Sequence, residues 1–252
     1  MATVSNFLIV EHIHNLQKVN NVPYTSGLSK FDDPIKIGTG AGLTVQESGA
    51  VALGLNAGVS QGLECIAIGA SAGTAQAEYS VAVGGQAGQS SAGFCVAVGF
   101  AAGADNQALN CTAVGSESGS LNAGANSTAV GANCGSVSMG LGAVGLGVNS
   151  LNSDAGLYAV GIGYSAAPVD AGDRTITINS SGLSQRNGGH NTVIINGSTA
   201  EIIPSGVDSI YMAPFFNATA TAGSVKKPSD AGFTQYLVYN PTTKEVRVCN
   251  FD

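Results

Sequence analysis

No lysine or arginine occurs between Lys36 and Arg174. The same stretch carries Glu47, Glu64, Glu78, Asp105, Glu117, Asp154, Asp170 and Asp173, in a chain of formal net charge −7. A surface without cations cannot neutralise phosphates, so nucleic-acid binding through this stretch is excluded. Charge of either sign is scarce: 10% of the 252 residues, against roughly 25% in ordinary globular domains. Long apolar runs are missing too. Nothing approaches the ~18 residues of a membrane-spanning helix, so no membrane insertion is expected. The run Phe7-Leu8-Ile9-Val10 has no cationic region before it and is too short for a secretion signal. The five cysteines show no CxxC or Cys/His spacing, so no zinc site is suggested. Phosphate loops and dinucleotide fingerprints are absent, and no cofactor is expected.

What the chain has is glycine, 36 residues of it, with 44% hydrophobic residues. That hydrophobic share argues against disorder, and the lack of a G-X-Y period excludes collagen. One phrase, apolar-Ala-aliphatic-Gly, is written eight times. It ends at Gly54, Gly69, Gly84, Gly99, Gly115, Gly131, Gly145 and Gly161, in steps of 15, 15, 15, 16, 16, 14 and 16 residues. A fixed period of this size means a stacked, quasi-one-dimensional array.

The slots of the phrase carry the argument. One before the glycine stand Leu53, Ile68, Val83, Val98, Val114, Val130, Val144 and Val160. Two before stands alanine every time, from Ala52 to Ala159. β-branched residues at alternate positions fit a strand with one bulky face and one that admits only a methyl group. Something must pack closely against the methyl face, and with so little charge this points to an oligomer. A second mark follows four residues on: Ala57-Gly58, Ala72-Gly73, Ala87-Gly88, Ala102-Gly103, Ser118-Gly119 and Cys134-Gly135. It reads as a second short strand after a tight glycine turn. Ile37-Gly38 and Ala41-Gly42 look like a degenerate first coil. About nine coils, stacked as parallel strands about 4.8 Å apart, make a rod roughly 40 Å tall. Hexapeptide β-helices, GGxGxD calcium rolls and helical repeats all fail on period or on glycine density.

The stretch SVAVGGQAGQSSAGFCVAVGFAAGADNQALNCTAVG resembles the head repeat of trimeric autotransporter adhesins, the YadA-type left-handed parallel β-roll. The likeness covers roughly Ile37 to Ala167. It implies a narrow roll in each chain and three rolls about a three-fold axis. No secretion signal or membrane barrel accompanies it, so a bacterial autotransporter is not expected. The segments TVIING, SIYMAPFFNAT and QYLVYNPTTKEVRV resemble a run found in fibre-like and collagen-like structural proteins of large DNA viruses. That likeness implies a virion protein.

Three regions are expected: a capping or anchoring segment over 1–36, the roll over 37–170, and a small C-terminal β domain over 171–252. In the first, Phe7, Ile9, Ile13, Leu16 and Val19 fit a short helix or a strand; periodicity does not settle which. In the last, Thr175–Ile178, Thr192–Ile195, Ile210–Pro214, Tyr236–Tyr239 and Glu245–Val248 read as strands, the final two flanking a hairpin turn at Asn240–Lys244. Open ends of a strand stack invite misassociation, so the two chain ends are expected to cap it.

Residues with chemical potential are few. Cys65, Cys95 and Cys111 share the slot four before the glycine with Ser80 and Ser127. A Cys95–Cys111 disulfide is conceivable between adjacent coils, but a small, weakly polar filler is preferred. His12 and His14 share a face on a strand, and three chains would bring six imidazoles together for a transition metal; two solvated histidines are the preferred reading. His190 sits in a turn with no nucleophile at motif spacing, and Asp170 and Asp173 read as a polar junction. Sequons stand at Asn110, Asn126, Asn179, Asn196 and Asn217, as expected by chance in a chain this rich in Asn, Ser and Thr.

The sequence therefore leads to an all-β homotrimer with no catalytic, cofactor or metal residues. The expected role is a virion fibre, spike or minor capsid component, assembled in the host cytoplasm. Its expected partners are copies of itself, other virion proteins and a host surface glycan or receptor. The rivals are a cell-surface adhesin and a glycan-active tail-spike enzyme, which would need paired carboxylates in a groove.

Overall fold

The computed structural model describes residues 34–202 and 207–213, and the strands Gln235–Tyr239 and Val246–Asn250. The described residues are all-β, with no helix. Each coil contributes one strand to a single long parallel sheet. Its twelve strands are Ile35–Ile37, Val51–Leu53, Ile66–Ile68, Val81–Val83, Val96–Val98, Thr112–Val114, Thr128–Val130, Val144–Leu146, Val160–Gly163, Ile176–Asn179, Val193–Asn196 and Ile210–Ala213. Chain order and sheet order coincide, which is the topology of a β-solenoid, here of about eleven turns. At about 4.8 Å per strand the sheet is roughly 53 Å long.

A second wall closes each coil. It is four two-residue strands, from Val45–Gln46 to Ser90–Ser91, and then three three-residue strands, Leu121–Ala123, Val137–Met139 and Ser153–Ala155. The change coincides with the lengthening of the coil from 15 to 16 residues. The added residue is left-handed and sits in the second wall: Asn106, Asn122, Ser138 and Asp154 have φ between 52° and 57°. The Ala-Gly mark is the turn that leads into this wall, not the strand: Ala57-Gly58 precedes Ser60–Gln61.

The phrase-ending glycine has a steric cause. Gly54 has φ 135°, and a Cβ there would lie 2.6 Å from the carbonyl oxygen of Gly69 in the next coil. The backbone stacks too closely for any side chain in this column.

The alanine slot faces inward. Ala52, Ala67, Ala82, Ala97, Ala113 and Ala129 pair in register along the sheet and are fully buried. All but Ala129 cluster with Ala57, Ala72, Ala87 and Ala102 of the turns that lead into the opposite wall. The close neighbour expected at this slot is thus the other side of the same coil, not another chain. Beside this core runs an amide ladder: Gln46 Nε2 donates to Gln61 Oε1 (2.9 Å), Gln61 Nε2 to Gln76 Oε1 (3.1 Å), and Ser91 Oγ to Gln107 Oε1 (3.1 Å).

The last two copies of the phrase are displaced. Ala129 pairs with Gly145 and Gly145 with Gly161, so glycine, not Ala143 or Ala159, fills the inner slot there. The glycines stacked on Gly131 are Gly147 and Gly163, and the irregular 14-residue step becomes 16. Volume explains the exchange. Leu151, the largest fully buried side chain among the described residues, stands where earlier coils have Gly135 and Gly119, and Cys134 stands in the small-residue column before it. A Cβ at Gly145 would lie 2.5 Å from Cys134 Sγ, and one at Gly161 2.9 Å from Leu151 Cγ. The bulk has moved from one wall to the other.

The sheet does not pause at residue 170. Ile176–Asn179, Val193–Asn196 and Ile210–Ala213 stack on it in parallel register. They were expected as strands of a separate domain, and the coil count of about nine rises accordingly. Their inner slot grows to Thr177 and Ile194, and Asn179 and Asn196 replace the phrase-ending glycine. Each Asn side chain closes the turn itself: Asn179 Oδ1 accepts from Ser181 N (3.2 Å), Asn196 Oδ1 from Ser198 N (2.9 Å). The expected C-terminal hairpin is present as an antiparallel pair, Gln235–Tyr239 with Val246–Asn250. The segment 1–33, with His12 and His14, and Asn217 lie outside the described residues.

Candidate functional site

The long sheet turns two columns of side chains outward. One runs Ile37, Leu53, Ile68, Val83, Val98, Val114, Val130, Leu146, Ile162, Ile178, Ile195, Met212; the other runs from Ile35 and Val51 to Val193 and Ile210. No position in either is charged, and all are apolar except Thr112 and Thr128. Leu53, Ile68, Val130, Leu146, Ile162, Ile178, Ile195 and Met212 are each more than a third exposed. The second wall is mixed outside: exposed Asp105, Asn106, Asn122, Asp154 and Asp170 alternate with exposed Val45, Leu121 and Val169. The asymmetry follows from the repeat. The narrow interior accepts only the alanine slot, so the bulky residues on either side of it must point out.

A face roughly 53 Å long and about 10 Å wide is about 500 Å², the size of the largest apolar patch on a typical monomer, which is often functional. Its corner carries a second feature. Glu47, Leu63, Glu78, Phe94 and Leu109 line an open groove of about 460 Å³. Phe94 stacks on Tyr79 of the preceding coil, ring centres 5.2 Å apart and planes at 24°. Both rings are exposed.

The residues with chemical potential take structural places. Cys65, Cys95, Cys111 and Cys134 are free and buried. Cys65 Sγ donates to the Ala77 carbonyl (2.7 Å), Cys95 Sγ to Ala108 (3.0 Å) and Cys111 Sγ to Gly124 (3.1 Å), while Ser80 Oγ does the same to Ala92 (3.1 Å). The slot ties each strand to the loop of the next coil, as a filler would. Burial pushes the Cys134 thiol up to about 11. The hydrogen bond with Cys111, and then burial, hold the Cys95 thiol protonated. Among the described residues no group of three or more His, Cys, Asp or Glu side chains could hold a metal.

His190 and Asp173 do meet, which sequence spacing alone did not suggest. The Asp173 backbone N–H donates to His190 Nδ1 (3.0 Å), and Asp173 Oδ1 accepts from Leu157 N (2.8 Å). They are neighbours in one corner of successive coils, and Thr192 Oγ1 donates to the backbone carbonyl of His190 (3.2 Å) rather than to its ring. Asp170 stands apart in a left-handed position of the second wall. Asn110 and Asn126 are exposed at the corner, Asn110 Nδ2 donating to Asn126 Oδ1 (3.0 Å). Asn179 and Asn196 are buried, their amides donating to backbone carbonyls, which closes both sequons to a modifying enzyme.

No family model, curated protein or solved structure matches the chain. The class defined by the fold is a parallel β-solenoid.

Proposed function

We propose that the chain is a non-enzymatic structural protein of a virus particle: a homotrimeric fibre, spike or minor capsid component held to other virion proteins. The observation that carries this reading is the uncharged, apolar outer face of the long sheet. In a chain of net charge −7, no charged residue among the described ones stands in either outward column of this face. Identical faces can therefore approach without repulsion, and covering them removes apolar area from water. The rod form supports the reading as well, since length is set by coil number. The virion assignment rests on the likeness of TVIING, SIYMAPFFNAT and QYLVYNPTTKEVRV to virion fibre proteins.

Host attachment is the second use, favoured by the corner groove. An exposed aromatic ring beside two carboxylates suits a sugar, whose apolar face lies on Phe94 while its hydroxyls donate to Glu47 and Glu78. Mass spectrometry of purified particles tests the main reading. The chain is expected in the particle at stoichiometric level, with no glycan cleavage by the purified protein. Particles that lack it, or turnover of a glycan at enzymatic rates, overturn the proposal.

A further inference from the structure

The corner groove is a dent in a stacked column. Leu63, Glu78, Gly93 and Leu109 hold one corner position in successive coils. The residue after each ties it to the coil before: Tyr79 N–H donates to the Leu63 carbonyl (2.9 Å), Phe94 N–H to that of Glu78 (3.1 Å) and Asn110 N–H to that of Gly93 (3.3 Å). Gly93 is the one member without a side chain. Its backbone is not left-handed, and a Cβ there would lie 3.3 Å from the Glu78 carbonyl oxygen and 3.6 Å from Glu78 Cγ. An alanine would fit with a small shift, so the stacking does not demand glycine. At Gly62 it does, because a Cβ would lie 2.8 Å from the Glu78 nitrogen. The bare position at Gly93 opens a hollow beside the exposed ring of Phe94. No side chain in the lining can donate a hydrogen bond. The polar ones are Glu47 and Glu78, both exposed; the rest are Gly, Ala, Leu and Phe. The sequence has no cation between Lys36 and Arg174, and Lys36 Nζ is bonded to the Gly42 carbonyl (2.7 Å).

We propose that the groove takes a glycan carrying free amines, its ammonium groups meeting Glu47 and Glu78 and a sugar ring lying on Phe94 over Gly93. The inference rests on the host-attachment reading above and names the class of sugar. A neutral sugar presents hydroxyls that both donate and accept, and a lining that only accepts meets half of that capacity. An ammonium offers three donors and no acceptor, the complement of a carboxylate. The aromatic ring adds to this, because a cation within about 6 Å of a ring centre is drawn to its face. Tyr79, stacked on Phe94 at 5.2 Å, extends the aromatic surface to a second coil. Sialylated, uronic and sulfated sugars fit badly, since their anionic groups would face two carboxylates with no cation to answer them. A volume of about 460 Å³ is in the range of small-molecule sites and leaves room for a ring as well as the amine.

Isothermal titration of the full chain tests this at low salt and about pH 6, where carboxylates are ionised and amines protonated. The probes are the free-amine disaccharide of glucosamine, its N-acetylated form and the polyamine spermidine. The free-amine disaccharide is expected to bind, and the N-acetylated form to bind roughly tenfold more weakly or worse. Glu78→Gln is expected to weaken the free-amine form by a similar factor. Glu117→Gln removes the same charge from an exposed position on another turn and is expected to leave binding unchanged. Phe94→Ala is expected to weaken both sugars with the β signal kept. Equal binding of the two disaccharides overturns the amine and leaves sugar attachment standing. Binding of neither overturns both. Spermidine that binds as tightly as the free-amine disaccharide, or an equal loss in Glu117→Gln, shows a general attraction of cations to an acidic rod and overturns the site.

Discussion

Gly145 and Cys134 share one small volume. The only atom within 3 Å of a notional Gly145 Cβ is Cys134 Sγ. Gly145→Ala should therefore cost about 1–3 kcal/mol as an overpacking change. In a Cys134→Ala background the same substitution should be close to neutral, a coupling that a double-mutant cycle by chemical denaturation reads directly. Additive costs would mean that the two walls do not meet there. Cys134 also makes a pH prediction. Its folded-state value of about 11 stands above the ordinary thiol value of 9.0. The unfolded chain loses the proton first, so stability is flat below about pH 9 and falls as pH rises towards 11. The loss is on the order of 2–3 kcal/mol and should be absent in Cys134→Ala; equal alkaline slopes for the two proteins would contradict it.

At the scale of the coil, each period is a closed unit that meets only its neighbours. Removing residues 70–84 joins Gly69 to Gly85, one phrase-ending position to the residue that follows the next one. The shortened chain should keep its β signal and cooperative unfolding. Removing residues 70–77 leaves half a coil, puts polar residues into the alanine column and should abolish cooperative melting. Circular dichroism on the two deletions checks this, and equal behaviour would mean that the register is not what holds the stack.

The coil was legible in the sequence where its interior is uniform. From Gly54 to Gly103 the sheet holds alanine and the turn into the second wall holds Ala-Gly, so the letters repeat. Legibility ended where volume crossed from wall to wall. At Gly145 and Gly161 the phrase still spells Ala-Val-Gly, but two residues early, and only the contact with Cys134 and Leu151 reveals the shift. It failed again at Ile176–Asn179 and Val193–Asn196, where threonine and isoleucine enter the core and asparagine replaces the glycine. The candidate site was half visible. The bulky columns were in plain sight, but their outward direction depends on how narrow the interior is, and the letters do not state that.

At the scale of the whole molecule, the central claim is that copies of this rod assemble through the apolar face of the long sheet. Val98 lies on that face, and its neighbours in the same column are Val83 and Val114. Val98→Glu places a charge where assembly would bury it unpaired, a large penalty at an interface. On the monomer the same side chain points to solvent, so the fold should survive. The deciding measurement is the solution mass of the wild-type chain and of V98E at micromolar concentration, by sedimentation or mass photometry. The account predicts three chains of 24.9 kDa each for the wild type, and a single chain with unchanged β signal for V98E. A wild-type chain that stays a stable monomer, or a V98E chain that assembles as the wild type does, would contradict it.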